Sequence, residues 1–196
     1  MKKIILTVAA VFALTFANAQ DKKEASEGLS KGDVLLTGDF NFSSATKGDA
    51  KADDLTLSPG LGYMMSDNLA IIGQLSISSG KTDDGAGSEV KNSGFGIAAG
   101  VRYFLTPASK FSMSIGAELG YASNKEDDGI AESTVKTTSL SVPLGLHYFV
   151  SNNFAISSTW GGLGYASVDD GSTDKASDFG LSVGMSSISF GLLYKL

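Results

Sequence analysis

The sequence contains no cysteine, a single histidine, a single tryptophan and only 3 prolines among its 196 residues. Without cysteine there is no disulfide framework, no thiolate zinc site and no cysteine nucleophile. The lone histidine, His147, leaves little for histidine-based metal sites or catalytic triads. Charged residues are also scarce, at 18%, whereas glycine is abundant, with 24 residues. This composition excludes disulfide bonds, thiolate sites and most histidine-based sites. The abundance of glycine and the scarcity of charged residues have to be explained by the fold.

The first nineteen residues have the pattern of a secretory signal peptide. Lys2 and Lys3 give a positive start, an apolar run follows over residues 4–16, and Ala17-Asn18-Ala19 forms an A-x-A cleavage site. The apolar run is shorter than the about 20 residues that a transmembrane helix needs. We therefore predict a signal peptide at residues 1–19, Sec-type export through the periplasm, a flexible leader at 20–31 and one domain at 32–196.

From residue 34 onward, apolar residues alternate with small or polar ones at a period of two, which predicts eight β-strands and no amphipathic helix. The predicted strands cover residues 34–42, 55–63, 69–77, 95–103, 111–121, 140–148 and 154–165, and a last strand that includes Ile188 and ends at Leu196. In the seventh strand the alternation changes phase near Gly161 and Gly162, which predicts a β-bulge.

A repeated motif organises these strands into hairpins. The segment at residues 60–71 recurs in similar form at 100–113 and 145–156, each time as two strands joined by a short turn. Polar connections at residues 45–54, 80–92, 124–136 and 167–178 are predicted to be long loops that hold most of the charge. After the first strand, only Arg102, Glu118 and Lys195 are charged within the predicted strands. Short turns at one end, long loops at the other and an apolar band between them are typical of membrane β-barrels.

Period two alone does not say which face of each strand meets the core, because soluble barrels bury the apolar face and membrane barrels expose it. Here the other face consists mostly of Gly, Ser and Ala, which suit the crowded interior of an eight-stranded barrel. All six tyrosines lie on the apolar face near strand ends, as in aromatic girdles. They are Tyr63, Tyr103, Tyr121, Tyr148, Tyr165 and Tyr194. The predicted fold class is all-β, an eight-stranded antiparallel transmembrane β-barrel with both termini in the periplasm.

The end of the chain carries two further motifs, G-L-G-Y-A-S at residues 162–167 and S-F-G-L-L-Y-K-L at the C-terminus. With the signal peptide and the repeated G-x-x-Y-[FM]-x-[ST] hairpins, they resemble the outer membrane β-barrel domain family of small OmpA/OmpX-like, porin-family proteins in Gram-negative bacteria. The resemblance implies a location in the outer membrane, in contact with membrane lipid and lipopolysaccharide. It also implies a last strand that the barrel assembly machinery reads. Ile188, Phe190, Leu192 and Tyr194 match that alternating signal, whereas Leu196 stands where the family usually has Phe.

Two groups of side chains are candidates for chemistry in the loops and the interior. Aspartate pairs at 53–54, 83–84, 127–128 and 169–170 could capture Ca²⁺ or Mg²⁺, but they lack EF-hand spacing, and Asp and Gly are common turn residues. His147 is predicted to point inward near the short turns as a satisfied polar residue. Arg102, Glu118, Gln74, Asp39 and Asn41 also point inward and are predicted to hydrogen-bond one another and plug the lumen. Met64, Phe104 and Phe149 are predicted to close the periplasmic end.

The sequence thus indicates a structural or surface-interaction role, with no enzymatic activity, no catalytic residue, no cofactor and no metal site. Three alternatives stay open: a narrow porin for small solutes, a lipid-modifying outer membrane enzyme and a soluble lipocalin-like binder. The lipid A deacylase of this fold class needs His, Ser and Glu facing lipid near the cell exterior, and His147 is predicted at the opposite end. The net charge of −6 argues against a nucleic-acid partner. The pattern names no surface partner.

Overall fold

The computed structural model describes residues 28–171, 176–183 and 189–196. The predicted signal peptide, residues 20–27 of the leader and Ile188 lie outside the described residues. The strands are β1 (Val34–Lys47), β2 (Ala50–Met64), β3 (Leu69–Asp83), β4 (Glu89–Phe104), β5 (Phe111–Asp127), β6 (Glu132–Phe149), β7 (Phe154–Asp169), β8 (Ala176–Val183) and β9 (Ser189–Lys195). Among these residues, no helix is long and apolar enough to cross a membrane.

The strands close into one antiparallel barrel. Strands β1 to β7 each pair with the next strand in the chain, β7 pairs with both β8 and β9, and β9 pairs with β1. The segment β8 follows residues 161–168 of β7, whereas β9 follows residues 154–159. These two segments therefore lie one after the other along the same neighbour and together form the eighth strand. The predicted eight-stranded antiparallel barrel is confirmed.

The apolar face of the barrel points outward, as predicted for a membrane barrel. Phe40 is 61% exposed and Leu119 is 64% exposed, and all six tyrosines are exposed as well. The alternate residues point inward, so that Ser112, Ser114 and His147 are buried. A water-soluble barrel has the opposite arrangement, because the hydrophobic effect buries its apolar side chains.

The predicted bulge lies in β7. The pairing of β6 with β7 shifts between Leu144 and Gly145, since Leu144 faces Gly161 and Gly145 faces Thr159. The shift passes over Trp160, which is the extra residue of the bulged strand. It lies directly before Gly161, where the alternation in the sequence changes phase.

The expectation of long loops and nearly charge-free strands is wrong. Strands β1 to β7 contain 14 to 18 residues, and the connections that were predicted to be long shrink to residues 48–49, 84–88 and 128–131. The strands continue beyond the apolar band because charged side chains there pair across neighbouring strands. The Lys81 ammonium lies 2.6 Å from the Glu89 carboxylate, and the Lys125 ammonium lies 2.6 Å from that of Glu132.

The barrel has two distinct ends. The turn end comprises residues 65–68, 105–110 and 150–153, together with the start of β1 and the end of β9. The loop end comprises residues 48–49, 84–88 and 128–131 and residues 170–171, which follow β7. The interior between these two ends holds the polar side chains that the sequence singles out.

Candidate functional site in the barrel interior

Large apolar side chains close the interior at the turn end, and we call this cluster the base. In each repeated hairpin an outward tyrosine is followed by an inward apolar residue, because successive side chains of a strand point to opposite faces. The three inward residues are Met64, Phe104 and Phe149, and all three are buried, as predicted. Leu35 of β1 and Leu193 of β9 join the cluster from neighbouring strands.

The end of the leader also belongs to the base, which the sequence reasoning missed. Leu29 is 1% exposed and packs in the same cluster. Its backbone N–H donates to the Pro107 carbonyl at 2.7 Å, and the Lys195 ammonium donates to the Gly28 carbonyl at 2.6 Å. Gly28 has a positive φ of 82°, and a side chain there would collide with the Pro107 carbonyl. The sequence does contain one signal for this contact, because Leu29 is the only large apolar residue in the charged leader.

His147 lies directly above the base, inside the barrel. Its Nε2 is 2.8 Å from the Ser114 hydroxyl and its Nδ1 is 3.0 Å from the Ser157 hydroxyl. The ring also stacks at a tilt on Phe104, with 5.1 Å between centroids. In either tautomer of a neutral ring, one hydroxyl donates and the other accepts, so both nitrogens are satisfied. This geometry is that of a packed polar residue, which is the interpretation that the sequence favoured.

Two polar pairs lie higher in the interior, on the walls formed by β1, β3, β4 and β5. The Arg102 guanidinium contacts the Glu118 carboxylate at 2.5 Å. The Gln74 amide donates to the Asp39 carboxylate at 2.8 Å. The inward positions and mutual contacts that were predicted for these four residues are observed. Asn41 lies further toward the loop end and is exposed.

A cavity of about 310 Å³ lies between these pairs, above the base. Asp39, Gln74, Arg102 and Glu118 line it, and His147 contributes to its floor. The sequence predicted a lumen that side chains plug throughout, whereas the structure packs the base and leaves space in the middle. Gly, Ser and Ala are too small to fill a barrel cross-section on their own, which is the physical reason for the difference. A volume of this size is in the range of sites for small ligands.

Three of the four aspartate pairs form turns at the loop end, whereas Asp53 and Asp54 lie inside strand β2, where the Asp53 carboxylate is 2.9 Å from the Lys51 ammonium. The first aspartate of three pairs accepts a hydrogen bond from the N–H of a positive-φ glycine two residues later, at 2.9, 2.9 and 3.1 Å for Asp83, Asp127 and Asp169. The N–H groups of Ala86 and Ser88 lower the pKa of the Asp84 carboxyl by donating to it. In the described part of the chain, no three His, Asp or Glu residues are grouped as a metal site. The geometry of these three pairs is the turn chemistry that the sequence favoured, and for Asp53 and Asp54 that expectation is wrong because the ladder between β1 and β2 continues through them.

Asp128, the second aspartate of the pair 127–128, accepts backbone hydrogen bonds in the same way as Asp84. The N–H groups of Ala131 and Ile130 donate to Asp128 and lower the pKa of its carboxyl. These carboxylates are held in place by the turn backbone, and they give the loop end its negative charge.

Comparison with known proteins supports this architecture. The family model of the outer membrane protein beta-barrel domain matches residues 6–186. A search of curated proteins finds no matching sequence. Among solved structures, the outer membrane protein OprG from Pseudomonas aeruginosa is similar, with 17% identity, a TM-score of 0.51 and coverage of 86% of this chain and 98% of that one. This similarity concerns the fold alone.

Two further barrels are similar at lower scores. Neisserial surface protein A has 20% identity and a TM-score of 0.49, with 83% of this chain and 97% of that chain covered. The attachment invasion locus protein Ail of Yersinia pestis has 15% identity and a TM-score of 0.43, with 87% and 99% covered.

Proposed function

The chain belongs to the outer membrane protein β-barrel domain family and lies in the outer membrane, and on this premise we propose that it is a non-enzymatic barrel with a closed base. Its role is structural, or depends on contacts that the charged loop end makes at the surface. The outward apolar side chains contact membrane lipid. We further propose that lipopolysaccharide is among these lipids and that the assembly machinery reads the exposed Phe190, Leu192 and Tyr194 of the last strand.

The packing of the base is the observation that carries this proposal. Phe104, Phe149 and Met64 are buried against one another across the barrel, and Leu29 fills the remaining space from the leader. A continuous aqueous path through the barrel requires that these side chains move apart. Their separation exposes large apolar surface to water, which is unfavourable. The packing therefore supports a barrel that does not conduct solutes.

The surroundings of His147 support a non-enzymatic role. A serine–histidine pair can act in nucleophilic catalysis only where a substrate reaches the serine hydroxyl, and Ser114 and His147 are only 3% and 2% exposed. Both nitrogens of His147 are hydrogen-bonded to serines inside the barrel, away from lipid. A lipid-modifying enzyme needs such groups on the outer face. In the described strands that face carries apolar side chains within the membrane band, so this alternative has no support.

A narrow porin for small solutes is the second candidate, because the interior cavity of about 310 Å³ supplies part of a path. The soluble lipocalin-like binder has no support, since the barrel exposes its apolar face and lies in the outer membrane. Conductance measurements on refolded protein in planar lipid bilayers distinguish the closed, non-conducting barrel from the narrow porin. We expect no discrete current steps from the unaltered protein. Reproducible unitary steps would overturn the closed base and favour the porin.

A further inference from the structure

The cavity in the middle of the barrel is an open compartment. The side chains of Arg102 and Glu118 remain 19% and 18% exposed although they point inward at mid-height. Since they face the interior, this exposure is to space inside the barrel that a water molecule can enter. The Asp39 carboxylate and the Gln74 amide line the same space from β1 and β3. The cavity therefore presents polar groups to any molecule that occupies it.

The charges that line this cavity do not balance. Arg102 supplies one positive charge, whereas Asp39 and Glu118 supply two negative ones. Arg102 contacts Glu118, and the direct hydrogen bond to Asp39 comes from the neutral amide of Gln74. A carboxylate away from bulk water is stabilised by a cation nearby. Among the described lining residues one negative charge is therefore not matched by a positive one, and a cation that occupies the cavity can match it.

The Asp39 carboxylate packs closely against the strand that closes the barrel. Asp39 pairs with Gly191 of β9, and a side chain at position 191 would collide with the Asp39 carboxylate. The glycine therefore makes room for the acid on one side, and Gln74 holds it on the other. A fixed carboxylate loses little conformational entropy when a ligand binds, which favours affinity.

One route to the cavity starts at the loop end. The base closes the opposite end, whereas Gly164 and Gly180 pair across β7 and β8 and both face inward, between outward residues on each strand. A side chain at either glycine would meet no atom within 4 Å, so the interior is open there. On β8, Asp178 lies two residues nearer the loop end than Gly180. By sequence, the segments 45–54, 80–92 and 124–136 of the loop end all carry more carboxylates than lysines. Such an acidic entrance attracts cations and repels anions.

We propose that this cavity binds a small organic cation of the ammonium class, with the Asp39 carboxylate as its counter-charge. The volume of about 310 Å³ exceeds that of a bare metal ion, and the described residues contain no cluster of metal ligands. Ser58 and Asn41 also line the cavity, and their hydroxyl and amide oxygens can accept a hydrogen bond from a hydroxyl group that such a cation carries. The site does not depend on whether the barrel conducts, and only its direction of entry rests on the closed base proposed above.

The test uses the full mature chain refolded in detergent micelles, with choline as the probe and calorimetric titration as the measurement. The neutral isostere of choline, 3,3-dimethylbutan-1-ol, has the same shape without the charge. We expect choline to bind saturably and the neutral isostere to bind at least about tenfold more weakly, since a charged contact is stronger than a neutral one. Equal binding of the two compounds, or no saturable binding of choline, would overturn the site. This comparison needs no variant.

A variant locates the site. Asp39→Asn keeps the shape and removes the charge, and we expect it to weaken choline binding by about tenfold or more. Asp67→Asn, in an exposed turn at the opposite end of the barrel, is the matched control and changes binding less than about twofold. Heat-modifiable gel mobility verifies that both variants fold. Unchanged binding in Asp39→Asn would contradict the proposal, as would tight binding of Na⁺ or Mg²⁺ that displaces choline. Current steps in bilayers would overturn the closed base and leave this site untouched.

Discussion

In both halves of the barrel interior every second side chain points inward, but the half at the turn end is packed and the half above it encloses a cavity. At the turn end the inward positions carry Met64, Phe104 and Phe149, which meet across the barrel and exclude water. At mid-height the inward positions carry Gly, Ser and a few charged residues, and the strands enclose a cavity. The size of every second residue therefore decides whether a given level of the barrel is packed or open. Packing is concentrated at the base, and the groups able to bind a ligand lie above it.

The largest expected effect comes from removal of a ring at the base. Phe104→Ala leaves a cavity among buried side chains, and we expect the free energy of unfolding to fall by about 4 kcal/mol. Urea titration of the refolded protein in micelles measures it. Ile130→Ala is the control, because Ile130 lies in a turn of the loop end and is 95% exposed. Equal losses in both variants would mean that the base is not the packed half.

The leader contributes a smaller share of the same packing. Leu29→Ala removes a buried side chain that only the end of the leader supplies, and we expect a loss of about 3 kcal/mol. Leu29→Met nearly conserves the volume and should cost about 1 kcal/mol. Urea titration of both variants gives the comparison. If Leu29→Ala unfolds at the urea concentration of the unaltered protein, the leader is not part of the base.

In the open half of the interior, we expect the Arg102–Glu118 ion pair to affect the free energy of unfolding. Arg102→Met leaves Glu118 and Asp39 without a cation in the interior, and we expect a loss of about 2 kcal/mol. Adding Glu118→Gln to this variant removes one of the two carboxylates and should restore part of the loss. Unfolding free energies of the two single variants and the double variant form a thermodynamic cycle. Additive losses would show that the pair does not interact.

The smallest effect lies in the turns of the loop end. Backbone N–H groups lower the pKa of Asp84 and Asp128 below the ordinary value of 3.8. A carboxyl with a lowered folded-state pKa stabilises the fold above its unfolded pKa, and this contribution is lost as the pH falls through the folded pKa. We therefore expect both carboxyl carbons to titrate below 3.8 in NMR spectra of the folded protein. Midpoints at or above 3.8 would contradict the observed hydrogen bonds.

The sequence predicts the barrel wall and the base because both depend on local alternation. A tyrosine followed by a large apolar residue recurs in three similar hairpins. The sequence alone therefore predicts that Met64, Phe104 and Phe149 point into the barrel. The phase change at Gly161 located the bulge for the same reason. The D-D-G turns were also recognisable, since a positive-φ glycine after two aspartates is a local feature.

The remaining features depend on contacts between distant parts of the chain. Apolar alternation ends at the edge of the membrane, but the backbone ladder continues where Lys81 and Glu89 pair, so the strands are longer than the pattern indicates. Leu29 is a single apolar residue, and one residue has no periodicity to show where it packs. The cavity results from how far side chains on opposite walls reach, which no single strand reveals.

The absence of cysteine allows the most direct test of a closed base below an open cavity, because an introduced thiol is the only one in the chain. Ser58→Cys places a thiol at the cavity, and Ser112→Cys places one among the buried residues of the base. The refolded variants are oriented in liposomes and treated from either side with a small cationic methanethiosulfonate reagent. We predict that the Ser58→Cys variant reacts only from the loop end and that the Ser112→Cys variant reacts from neither side. Rapid reaction of both variants from the turn end would contradict the closed base.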